Sequence, residues 1–228
     1  MRSIFQLAQV DLPVPDHTTL SRRGRKMSER VPKRSREEPL HLAIDSSGLK
    51  VYGAGEWQVR QHGASRRRTW RKVHLAVDCV SGLVLAVEVT EARVHDSTVV
   101  EPLLAAVGCL LASVAADGAY DRRRVYEALV RHSAGVQIAI PPRWDARIWQ
   151  HENLRFIGRC GRRCWKAWCG YGRRSLGEST VSRLKRLFGS GLLGRVLSVQ
   201  DVSVRLRCCG LNVMTGLGMP GSYAVVAW

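Results

Sequence analysis

Residues 40 to 140 constrain the fold more than any other part of the chain, because their apolar residues change period in a fixed order. In "LHLAIDS", Leu40, Leu42 and Ile44 alternate with His41, Ala43 and Asp45. This is the two-residue period of a strand with one buried face. "RKVHLAVD" (71–78) and "LVLAVEVT" (83–90) read as two further strands, with Ser81–Gly82 as the tight turn of a hairpin. Helical and strand periods then take turns. Asp96 caps a helix to about Val107, "LASVAAD" (111–117) is a short apolar strand closing on Asp117–Gly118, residues 121–131 form a helix, and "VQIAI" (136–140) is a strand stopped by Pro141–Pro142. Basic sequence, irregular or helical, leads on to a helix from about Ser175 to Phe188 and another from about Val199 to Met214. Antiparallel strands followed by βαβ alternation predict an α/β domain, a mixed β-sheet with helices on its faces.

The flanks differ from this core. Residues 1–39 carry Pro13, Pro15, Pro32 and Pro39; Asp16 or Thr18 suits the cap of a short helix near Leu20, and Met27 to Pro39 reads as a linker. Residues 221–228 read as a tail. The opening apolar run is short and broken by Asp11, and nowhere do about 18 apolar residues follow one another. The expectation is a cytoplasmic protein whose seven cysteines are reduced. Cys160, Cys164 and Cys169 are spaced C-x3-C-x4-C with no clean fourth ligand after them, which argues against a zinc site.

Charge narrows the partner. Thirty-six Lys and Arg face nineteen Asp and Glu, a net charge of +17. The arginines cluster along the whole chain, at Arg22–Arg23, Arg66–Arg67–Arg68, Arg122–Arg123–Arg124, Arg162–Arg163 and Arg173–Arg174. Guanidinium forks suit phosphate, and a polyanion releases counterions on meeting such a surface, so a nucleic acid is the expected partner.

Phosphoryl chemistry with two metal ions needs carboxylates that converge from separate elements. Asp45 lies near the end of the first strand, where it is either a turn starter before Ser46–Ser47–Gly48 or a ligand. Asp117 ends the fourth strand. Asp121 is the better cap for the following helix, which leaves Asp117 without an evident structural task. Side-by-side carboxylates at these two positions are costly without a cation. Glu178 has three readings: a capping box with Ser175, an ion pair with Arg174 or Arg183, or a third ligand. At 100° per residue, Tyr171, Arg174, Glu178 and Lys185 share an arc of about 60° beside the apolar face of their helix. That stripe offers one carboxylate between two cations and a phenol. Gly170, Gly172 and Gly177 weaken the start of such a helix.

The spacing Tyr-x2-Arg-x3-Glu-x6-Lys resembles the signature of DDE transposases of bacterial insertion sequences, the group called insertion sequence family five above all. "IDSSGLKVYGAGEW", "RRTWRKVHLAVD", "ADGAYDRRRVYEAL", "IPPR", "GYGRRSLGEST" and "LNVMTGLGMP" resemble that family's blocks in order over residues 40–220, and "PDHTTLSRRGRK" resembles the end of its N-terminal region. The element order likewise resembles an RNase H-like fold. The resemblance implies a catalytic domain at 40–220 behind a shortened N-terminal DNA-binding region and linker (1–39). It implies Asp45, Asp117 and Glu178 as catalytic metal ligands for Mg²⁺ or Mn²⁺, two ions expected. It implies cleavage at transposon ends followed by transfer of the 3′-OH to target DNA. Tyr171, Arg173, Arg174 and Lys185, with Arg67 and Arg68, become the DNA contacts. The implied partners are double-stranded DNA, as terminal inverted repeats and target, and a second copy in a homodimer associated with the nucleoid. A truncated, catalytically incompetent DNA-binding remnant keeps the same residues, and a structure-specific nuclease of the same fold is a further alternative.

Overall fold

A computed structural model describes residues 2–7, 9, 11–14, 16–24, 31, 38–51, 69–143, 146, 152–194 and 196–218. Among these, six strands form one mixed sheet: β1 (Leu40–Val51), β2 (Trp70–Asp78), β3 (Val84–Glu91), β4 (Leu111–Ala115), β5 (Gln137–Ala139) and β6 (Gly191–Leu192). Their spatial order is β3-β2-β1-β4-β5, with β6 on the far end of β1. The first three strands pair antiparallel; β4, β5 and β6 join parallel. The helices are α1 (Arg2–Leu7), α2 (His17–Gly24), α3 (Val100–Val107), α4 (Arg123–His132), α5 (Glu152–Trp168), α6 (Ser175–Phe188) and α7 (Leu197–Gly216). This α/β arrangement, a mixed sheet flanked by helices, is consistent with the RNase H-like fold expected from element order.

Alternation along β1 sets the layers. Leu40, Leu42 and Ile44 pack with Leu103 of α3, Leu129 of α4 and Tyr120. Leu49, on the other face, packs with Leu75, Val77, Leu184 of α6 and Val204 and Leu211 of α7. A smaller cluster joins Ala115 and Ala139 to Trp165 of α5 and to Cys169 just after it. Each fully buried leucine contributes about 1.5–3 kcal/mol by leaving water. The edge strand β3 is covered by α7, where Asn212 accepts from Val84 N (2.8 Å) and donates to Val84 O (2.7 Å). Among the described residues no helix is long and apolar enough to cross a membrane.

Several sequence expectations are corrected. The turn expected at Ser46–Ser47–Gly48 is strand, because β1 stays paired with β2 as far as Lys50 opposite Trp70. Gly48 leaves space there for the Trp70 ring, which a Cβ would meet at 3.2 Å. Asp96 does not cap α3. It begins a short 3-10 turn (Asp96–Thr98) whose cap is His95, and its carboxylate receives Lys72 Nζ at 2.8 Å. Of the two forms open to the segment before α6, irregular or helical, the structure has a helix, α5, whose path breaks at Gly161 (φ 81°, ψ 160°). Most of the expected linker, Arg67, Arg68 and the tail at 221–228 lie outside the described residues.

Candidate active site

The odd-numbered face of β1 carries His41, Ala43, Asp45, Ser47 and Leu49, and a polar site occupies its middle. β4 pairs with β1 up to Ala43, opposite Ala115, and β6 takes up the same edge only at Lys50. Continuing the β4 register by two residues sets Asp45 against Asp117. Asp45 is buried, with 8% of its surface exposed. It lies in mid-strand rather than at a strand end, but at the point where its neighbour on that edge has run out.

Gly177 brings α6 onto this point. A Cβ there would stand 3.0 Å from the Cβ of Asp45 and 3.8 Å from that of Ala43. A contact at 3.0 Å is tighter than nine in ten real Cβ contacts, so any larger residue forces a shift of a few tenths of an ångström, and glycine lets the first turn of α6 sit beside Asp45 without one. The glycine that weakens the helix in isolation is what lets it dock. The 3-10 turn Tyr171–Arg174 runs straight into α6, with helical backbone at Arg174 (φ −55°, ψ −31°). The Tyr/Arg/Glu/Lys stripe therefore continues across the junction.

Electrostatics tie the three carboxylates together. Burial pushes the Asp45 carboxyl above its ordinary range; the Ser46 backbone and the Arg174 charge oppose this, and the charges of Asp117 and Glu178 add to it. Asp117 accepts a hydrogen bond from Ala119 N (2.9 Å) and so caps the turn Gly118–Tyr120. That reverses the expectation that Asp121 caps and Asp117 does not: Asp121 instead accepts from Tyr126 Oη (3.0 Å) and Arg143 N (2.7 Å). Glu178 is ion-paired with Arg174 Nη2 at 2.5 Å, on a half-exposed helix turn. Ser175 forms no capping box with it; its hydroxyl donates to Gly172 O (2.9 Å), because the chain is already helical before Ser175.

The flanking groups fall on the same side. Arg174 lies 5.6 Å from the centre of the Tyr171 ring, and Lys166 lies 5.7 Å from it. Trp165 packs beside the same ring at 5.4 Å. Lys185 Nζ donates to Ser47 Oγ (2.6 Å), two residues along β1 from Asp45. Arg173 turns to the sheet, donating to Ser113 Oγ (3.2 Å) and lying 3.0 Å from His41 Nδ1. Sequence reasoning missed Ser47, His41 and Ser113 as partners; the parity of β1 was the available signal for the first two.

Two family models, both described as a transposase DDE domain, match residues 36–206 and 1–54. The chain belongs to the DDE transposase family. The family normally uses divalent metal ions. The donor set of this transposase suits such an ion: three carboxylates, hard oxygen ligands, near enough that two of them raise the proton affinity of the third. Among the described residues no three His, Cys, Asp or Glu side chains close on one point as they stand. Asp117 is engaged as a turn cap and Glu178 in its pair with Arg174. Of the three cysteines spaced C-x3-C-x4-C, Cys160 and Cys164 are exposed, while Cys169 is buried.

Proposed function

We propose that this transposase cleaves DNA strands at the ends of a mobile element and joins the freed 3′-OH to target DNA, with Asp45, Asp117 and Glu178 as the metal-binding triad. The observation that supports the reading is the approach of a strand end and a helix turn to Asp45 in mid-strand, where the charges of Asp117 and Glu178 both reach the buried Asp45 carboxyl. Two Mg²⁺ or Mn²⁺ ions held by the triad would supply the charge that stabilises the attacking and leaving oxygens of an in-line displacement.

The chain's own residues position the substrate. Arg174 is the pivot, since it holds Glu178 and lies over Tyr171. An arriving phosphate competes with Glu178 for the guanidinium, and its capture turns the Glu178 carboxylate toward Asp45 and Asp117. Binding of DNA thus completes the triad. Lys185, tethered at Ser47, grips the next part of the backbone, and Tyr171 sets a phosphate or base against the site. Bringing two element ends together calls for two copies of the chain, and a protein so occupied follows the nucleoid.

The test uses the DNA that flanks the reading frame. Duplexes carrying its inverted repeats, incubated with protein and Mg²⁺, are expected to yield a nick that exposes the 3′-OH at the element end and then joined product with target DNA. Specific binding without any cleavage in Mg²⁺ or Mn²⁺ replaces this reading with that of a DNA-binding remnant.

A further inference from the structure

Between Glu152 and Glu178 the sequence has seven Lys and Arg and no Asp or Glu. At the end of this stretch Arg174 pairs with Glu178, and outside it Arg123 pairs with Glu127, Arg131 with Glu101 and Arg205 with Asp201. The shape of this acid-free stretch is set by two contacts within α5. Trp165 Nε1 donates to Asn153 Oδ1 at 3.0 Å, and the rings of Phe156 and Trp168 stack at 4.6 Å and 20°. Both contacts join residues twelve apart. In an unbroken helix they would be separated by about 18 Å of rise. The break at Gly161 therefore folds the two halves of α5 back on each other, and α5 is a helical corner.

Its base is fixed. Asn153 and Trp165 are buried, and Asn153 Nδ2 also donates to Ile140 O (3.1 Å) at the end of the sheet. Its apex is exposed from Gly158 to Cys164 and carries Arg159, Arg162 and Arg163. A Cβ at Gly158 or Gly161 would meet nothing within 4 Å, so the backbone at the apex is bare. Lys166, about 6 Å of helical rise from Arg162, lies over the Tyr171 ring and links the corner to the stripe beside the carboxylates. Successive phosphates on one strand are about 3.4 Å apart along the axis. A duplex held at Tyr171 and Arg174 thus passes the corner within a few base pairs.

We infer that the α5 corner is a second, sequence-independent contact for duplex DNA, its three arginines bracketing backbone phosphates beside a groove. This rests on the reading of the chain as a transposase acting at the carboxylate site, and adds a surface to it. The narrow bare apex fits a groove, the guanidiniums fit phosphate, and the pinned base keeps the arginines in place before binding, which lowers the ordering cost.

The experiment compares full-length protein with the triple variant Arg159→Gln/Arg162→Gln/Arg163→Gln and the control Arg123→Gln/Arg131→Gln from the opposite face. Binding to a duplex is measured against salt in EDTA. The triple variant is expected to reduce the salt slope by about two to three units and Arg162→Gln alone by about one, with the melting temperature unchanged; the control keeps the slope. In parallel, duplex is expected to slow alkylation of the exposed apex thiols Cys160 and Cys164. An unchanged slope, an equal change in the control, or undiminished alkylation overturns the inference, as does selective loss of affinity for single-stranded RNA or anionic vesicles in place of duplex. Cleavage assays of Asp45→Asn separate the two readings. A lost slope with Asp45→Asn still cleaving leaves the corner standing and removes the triad; a kept slope with Asp45→Asn inert does the reverse.

Discussion

The two sides of β1 are built from neighbouring residues of one strand and obey opposite rules. On one side Leu40, Leu42 and Ile44 pack into a large apolar cluster that includes the ring of Tyr120. On the other, Asp45 and Ser47 meet a helix that brings Glu178, Arg174 and Lys185. The first side resembles any well-packed core. The second departs from good packing in each respect that chemistry needs: a buried carboxylate near two others, a glycine in a helix, and cations beside a sheet. What stabilises the fold and what endangers it are separated by one residue of register.

Breaking each side gives different failures. Asp45→Asn, Asp117→Asn or Glu178→Gln is expected to lower Mg²⁺-dependent cleavage by about a thousandfold or more, with duplex binding nearly intact. Leu42→Ala is expected to cost about 2–5 kcal/mol in chemical denaturation while leaving cleavage per folded molecule unchanged. A triad variant that cleaves normally removes that residue from the site.

Gly177→Ala sharpens the boundary between the two rules. The added methyl favours the helix by roughly 1 kcal/mol but pushes α6 away from Asp45. Cleavage is expected to fall about tenfold, in line with the cost of small misplacements, with little change in melting temperature. Full activity in this variant argues that α6 need not approach so closely.

Titration distinguishes the sides next. Asp45 holds its proton more tightly folded than unfolded, so its contribution to stability is present at acid pH and is lost as pH rises through its folded value. Asp45→Asn is therefore expected to melt higher than the parent protein at neutral pH, with the gap closing in acid. His74, on the dry side, behaves in the other sense. Burial lowers it to about 4, Asp96 opposing and Lys72 assisting. It stays neutral in the fold, and stability is expected to fall as pH drops from about 6.5 toward that value. Melting curves of His74→Gln that keep the full acid-side loss would assign it to other groups.

The smallest expected effect is at Lys185. Lys185→Ala is expected to weaken duplex binding uniformly and reduce the salt slope by about one unit; an unchanged slope shows that its bond to Ser47 is its whole role.

Much of the fold was legible because β1, β2 and β3 alternate cleanly and α6 has a well-separated apolar face. The length of β1 was not, since Ser46–Ser47–Gly48 reads locally as a turn and is held extended by β2. Caps were misassigned at Asp96 and Asp121 because each carboxylate found a distant or non-capping partner: Lys72 for one, Tyr126 and Arg143 for the other. The break in α5 hides in a run that contains Gly158 and Gly161, of which only Gly161 adopts positive φ.

Sequence alone determined the order of elements and the basic surface, and its resemblance to the family singled out Asp45, Asp117 and Glu178 with Tyr171, Arg174 and Lys185 as the proposed site, because periodicity, charge and spacing are local properties of the chain. Tertiary structure decided what those residues touch. The register of β1 on β4 set Asp45 toward Asp117, the bare Cα of Gly177 admitted Glu178, and Arg174 took that glutamate as its partner. Such contacts depend on which backbones come within reach of one another, and only packing fixes that.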